Sequence, residues 1–146
     1  MMTYEGARHG PAIQRVVWWT LAAGCSAVLI TAAILEPDAR GYGTHTQLGL
    51  PPCAFLQLTG APCPGCGLTT AFAHAIRGRF VHAADANAFG LLLFAIVCAL
   101  IPFASIAGWR RCSPDSILER FAIGRWALAV AACGLVLWVV RLTNAL

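Results

Sequence analysis

Cys53, Cys63 and Cys66 are the only cysteines close enough in sequence to act together, and the last two sit in a Cys-Pro-Gly-Cys-Gly turn built with Pro64, Gly65 and Gly67. Thiols at this spacing support three chemistries. A Cys-x-x-Cys knuckle places two sulfurs on one ion, because proline and glycine let backbone N–H groups point at the thiolates. Cys53 offers a third sulfur, and His45, His74 and His82 compete to be the fourth ligand of a zinc or iron site. The same spacing ahead of a helix start stabilises a thiolate through the helix dipole and primes disulfide exchange. Alternatively, a bridge among these cysteines pins a loop that has few polar anchors. One knuckle with scattered partners does not decide among the three. Gly67, where a histidine would be needed, excludes c-type haem attachment.

No catalytic triad, paired-carboxylate site or phosphate loop is visible. The leading expectation is therefore a non-enzymatic membrane component, an accessory or partner-binding subunit in which the turn is a folding staple. A metal-binding or thiol-redox protein is the alternative. The histidines also have plainer roles. His45 in a glycine-rich turn reads as solvated, His74 on an apolar helix as a core imidazole bonded to a carbonyl, and His82 with Asp85 as part of an interfacial helix.

These residues must be positioned by membrane helices. The 146 residues are 59% hydrophobic and 11% charged, with mean hydropathy +0.72, whereas a soluble domain carries about a quarter charged residues. All ten basic residues are arginines, placed beside apolar blocks rather than in a basic stripe. That speaks against nucleic acid and for contact with lipid headgroups. The fold class expected is an all-α integral membrane protein with three transmembrane helices and short interfacial or re-entrant helices around the cysteine turn. The spans run over about 16–35, 88–108 and 125–142, with a motif loop over 36–87, in one membrane domain.

The pass along the chain adds detail. Residues 1–15 read as an unstructured tail. The block from Val16 to Leu35 is longer than a signal-peptide core and reads as a retained anchor, with Trp18 and Trp19 in the interfacial belt. Pro51-Pro52 breaks the apolar run from Leu48 to Leu58. Thr69 reads as the N-cap of a helix over Thr70–Arg77, followed by a separate short segment from Arg79 to Ala84. Asn87 caps the second span and Pro102 kinks it. Ser113-Pro114 starts a brief helix. Arg77, Arg79, Arg110, Arg111, Arg125 and Arg141 read as headgroup anchors. Six arginines against four favour a cytoplasmic N-terminus, with the cysteine loop on the outer side of the cell membrane. Small residues such as Ala22, Gly24, Ala131 and Gly134 allow close packing within the chain, with a membrane-protein partner or in a homo-oligomer.

The run Thr59-Gly60-Ala61-Pro62-Cys63-Pro64-Gly65-Cys66-Gly67-Leu68-Thr69, with Cys53-Ala54-Phe55 before it and Arg77-Gly78 and Asn87 after it, resembles a family of small bacterial membrane proteins known as domain of unknown function 2752. The resemblance covers Pro52 to Leu93 and implies a membrane location and a core centred on the motif, but no activity. Two positions depart from the family pattern: Thr70 stands in place of an arginine and Ala88 in place of a proline. If that arginine has a role in the family, this chain has lost it or supplies it from Arg77 or Arg79.

Overall fold

The computed structural model describes residues 10–114, 117 and 123–145. The elements with defined bounds are α1 (Pro11–Ile34), a 3-10 helix (Thr44–Leu48), α2 (Ala54–Thr59), α3 (Leu68–Ala75), α4 (Phe80–Trp109) and α5 (Ile123–Ala145). No strand occurs among the described residues. The segments Ala12–Ile34, Phe80–Trp109 and Gly124–Thr143 are long and apolar enough to cross a membrane. The fold is thus all-α, with three membrane-capable helices and the cysteine-rich segment between the first two.

Two helix boundaries correct the sequence reading. Helix α1 begins at Pro11, inside the expected tail, because a proline at the first helical position has the right φ and no N–H to leave unpaired. The segment after Arg79 is not a separate short helix: it continues into α4, and a single residue interrupts it, Asn87, with φ −166° and ψ 106°. The expected cap at Asn87 is present, its Oδ1 accepting the Gly90 N–H at 3.0 Å. The one non-helical backbone inside α4 is at Asn87, not at Pro102, where a kink is expected. From Asn87 to Trp109 the helix rises about 33 Å, close to the hydrocarbon thickness. The brief helix expected after Ser113-Pro114 falls largely outside the described residues.

Close packing relies on small side chains, since lipid supplies no hydrophobic drive between helices. Helix α3 folds back along the start of α4 through Ala71, Ala75, Ala83 and Ala86, with Leu91 and Phe94 against them. A Cβ on Gly90 would come within 2.9 Å of the Ala71 Cβ, and one on Gly134 within 2.9 Å of the Phe89 ring, which brings α5 against α4. At the far end Trp18, Ala22, Ala104 and Ala107 join α1 to α4. Trp18 is buried, edge-on to Phe103 at 5.8 Å, and donates its indole N–H to the Cys112 carbonyl at 2.9 Å. Arg77, read as a headgroup anchor, is exposed but also bonds backbone carbonyls of two helices. Its guanidinium donates to Ala73 O of α3 at 2.7 Å and to Ala32 O at 3.3 Å and Ala33 O at 2.9 Å, the last two being carbonyls that the end of α1 leaves open. Arg79, Arg110, Arg111 and Arg125 are exposed at helix ends.

The three long helices alternate in direction, and the end of α1, the cysteine segment, Asn87 and the end of α5 meet on one side. The loop from Asp38 to Leu48 is tied to α3 by Thr44 and Thr70, both fully buried, whose hydroxyls lie 2.8 Å apart. Thr44 Oγ1 also accepts the Asp38 N–H at 3.0 Å. Thr70→Val removes one buried hydroxyl from this pair and should lower stability by about 1–3 kcal/mol, with Thr70→Ser recovering most of it. Denaturant unfolding of the detergent-solubilised protein checks this, and equal midpoints for Thr70→Val and wild type would contradict it.

Candidate metal centre

The turn is assembled by short-range hydrogen bonds. Cys66 N–H donates to Cys63 O at 3.0 Å and Leu68 N–H to Gly65 O at 3.1 Å, and α3 follows at once. Gly67, not Thr69, is the N-terminal boundary residue of α3, with φ +86°. A left-handed residue there turns the chain straight into the helix, so Thr69 lies within the first helical turn. A Cβ at residue 67 would strike the Ala86 carbonyl oxygen and sit 2.7 Å from the Gly41 carbonyl oxygen, so only glycine fits.

Cys53 stands immediately before α2. Its sulfur lies 3.6 Å from Cys63 Sγ, which lies 3.1 Å from Cys66 Sγ. All three sulfurs fall within 4.8 Å of one another, and each is a free thiol. The fold therefore gathers three thiols across α2 and the turn.

What holds the turn comes from far along the chain, and most of it is invisible to sequence reading. Asn87 is buried; while its oxygen caps α4, its Nδ2 donates to Pro64 O at 3.2 Å and Cys66 O at 3.0 Å. Trp138 on α5 donates its indole N–H to Pro62 O at 2.8 Å and stands edge-on to Phe55 of α2, with ring centroids 6.4 Å apart. Arg141, expected as a headgroup anchor, instead directs a guanidinium N–H at Cys66 O, 2.7 Å away. A cation at the end of a helix serves either purpose; here an open carbonyl lies within its reach.

The histidines divide. His74 and His82 are not with the thiols: their rings pair at 5.5 Å between centroids, His74 lying in the last turn of α3. His74 is not the carbonyl-bonded imidazole expected, since its buried Nδ1 has no hydrogen-bond partner. Burial holds its pKa below the ordinary value, helped by the nearby His82, Arg79 and Arg77. Arg77 and Arg79 lie at this same end, so neither supplies the turn with the arginine of the family pattern.

The thiols are electrostatically unequal. The Leu56 backbone N–H at the start of α2, followed by the neighbouring Cys66 thiol, lowers the Cys53 pKa. Burial pushes the Cys66 thiol up to about 12, with Cys63 and Cys53 adding to the shift.

The model of a family described as protein of unknown function, DUF2752, matches residues 53–101. The resemblance read from the sequence holds over that stretch, which opens on Cys53, contains Cys63, Cys66 and Asn87, and stops short of α5. No curated protein and no solved structure matches the chain.

Asn87→Ala removes a cap and two carbonyl donors and should cost at least about 2 kcal/mol. Asn87→Asp keeps the cap but presents a carboxylate to two carbonyls, so it should destabilise at least as much; unfolding midpoints that rank Asp near wild type would refute this division of roles. For the thiols, a lowered pKa means more thiolate near neutral pH and a raised one means less. Alkylation followed by mass spectrometry should therefore label Cys53 well ahead of Cys66 at pH 8, with the Cys53 rate rising at a lower pH than that of free cysteine. The reverse order would contradict the asymmetry.

Proposed function

We propose that this protein is a multi-pass membrane component whose Cys53, Cys63 and Cys66 hold one thiophilic metal ion, zinc or iron(II), at the end of the helix bundle. The observation that carries the proposal is the convergence of three unbridged sulfurs within 4.8 Å, contributed from both sides of α2. Two sulfurs about 2.3 Å from one tetrahedral ion lie about 3.8 Å apart. The Cys53–Cys63 separation of 3.6 Å is already near that spacing, and the 3.1 Å between Cys63 and Cys66 needs only a small side-chain rotation. Soft thiolate ligands favour zinc and iron over magnesium or calcium.

In this reading the ion takes the role of a folding staple, joining the segment before α2 to the start of α3. The role needs no catalysis, which agrees with a membrane component rather than an enzyme. Thiol exchange is the weaker reading, because no strand occurs among the described residues and the turn lacks the βαβ surroundings in which a Cys-x-x-Cys reads as a redox motif. Six arginines against four favour a cytoplasmic N-terminus with the thiols at the outer face, and the apolar helices α1, α4 and α5 suit contact with lipid.

Elemental analysis of detergent-purified protein with parallel thiol counting tests the proposal. About one zinc or iron per chain is expected, falling to background in Cys63→Ser and Cys66→Ser. A wild-type protein that carries no metal and takes up neither zinc nor cobalt(II) in titration would sink the metal reading, and thiols found oxidised in pairs would favour a disulfide staple.

A further inference from the structure

Three sulfurs leave a tetrahedral ion one ligand short, and the structure offers a donor that the composition of the loop does not single out. A cavity of about 200 Å³ opens beside the thiols, lined by Cys53 and Cys66 together with Arg40, Tyr42, His45 and Gln57. We infer that His45, through Nδ1, is the fourth ligand, making the centre three sulfurs and one imidazole nitrogen. The inference rests on the metal reading above and specifies its ligand set.

The tautomer is set by a neighbour. His45 Nε2 lies 3.2 Å from the Pro51 carbonyl oxygen. A carbonyl only accepts, so Nε2 carries the proton and Nδ1 carries the lone pair. Ligating histidines commonly have this arrangement, with the far N–H on a backbone carbonyl that orients the ring. Here the carbonyl belongs to Pro51, two residues before Cys53, so the imidazole is tethered to the segment that supplies a sulfur.

Its base is equally fixed. The preceding residue is Thr44, fully buried and bonded to Thr70 on α3, which fastens the 3-10 helix to the helix that follows the turn. The other polar groups around the cavity are poorer candidates. Arg40 has no lone pair to give and is paired with Asp38 at 2.7 Å. That pairing holds the Asp38 carboxyl at a pKa of about 2 and occupies both of its oxygens. Tyr42 and Gln57 offer a neutral phenol and an amide, weak ligands for an ion held by thiolates. His74 and His82 face each other elsewhere. The His45 ring lies outside the set of donor atoms within 4.8 Å of one another, so the assignment requires the side chain to rotate toward the thiols on its fixed base when the ion binds.

X-ray absorption of the zinc-loaded, detergent-purified full chain tests the assignment. The expected spectrum has three sulfurs at about 2.3 Å and one nitrogen at about 2.0–2.1 Å, with the outer-shell scattering of an imidazole. His45→Ala should lose that imidazole signature and weaken zinc binding, measured by chelator competition, about 10- to 100-fold. Free imidazole should restore the signature, and His74→Ala and His82→Ala should leave it intact. Wild-type protein that binds zinc through three sulfurs without an imidazole would overturn the assignment while leaving the three-thiol centre standing. So would His45→Ala that keeps the wild-type spectrum. Wild-type protein that binds no zinc would overturn both. If His45→Ala fails to fold, the wild-type spectrum alone decides.

Discussion

Backbone carbonyls that a fold buries must find donors, because burial removes the water that would otherwise satisfy them. The Cys-Pro-Gly-Cys-Gly turn brings several such carbonyls to one place, and much of the fold answers that need. Asn87 answers it most economically: one amide breaks α4, caps the helix that resumes, and clamps Pro64 and Cys66 from the other side. Replacing any part of that amide leaves either a helix start or a turn unsatisfied. Trp138 and Arg141 complete the arrangement from α5, so the last helix closes the turn as much as it packs against α4.

With its carbonyls held, the turn presents its sulfurs on a stiff frame. Gly67 cannot take a side chain, and the start of α3 therefore stays close to both Ala86 and the Gly41 loop. The alanines between α3 and α4 serve the same end, since larger residues would push the turn away from Asn87. Opposed shifts at Cys53 and Cys66 follow from position alone, one sulfur beside the open N–H groups of a helix start and the other in the interior.

The long helices were legible because their apolar blocks approach or exceed the bilayer thickness. Their ends were less so, because Pro11 and the polar residues from Arg79 to Asp85 join helices that hydropathy alone cuts off. Of the thiol cluster, Cys63 and Cys66 follow from local spacing and Cys53 from simple proximity in the loop. The histidines did not follow: an imidazole eight residues beyond Cys66 lies at the far end of α3, while His45, whose turn read as solvated, lines the cavity beside the thiols. Arginine was the most ambiguous residue type. Arg77 and Arg141 sit beside apolar runs as anchors do, and only the location of open carbonyls distinguishes them. Hydrogen bonds spanning more than twenty residues leave no periodic trace in a sequence.

Cys66 O receives one donor from α4 and one from α5, which makes this single oxygen a pivot between two membrane helices. Helices adapt to bilayers of different thickness by changing tilt. A change in tilt of α5 against α4 must stretch one of these two bonds or carry the Cys66 backbone along with it. The backbone that carries one of the three sulfurs is therefore held jointly by two helices, through residues that are themselves far apart in sequence.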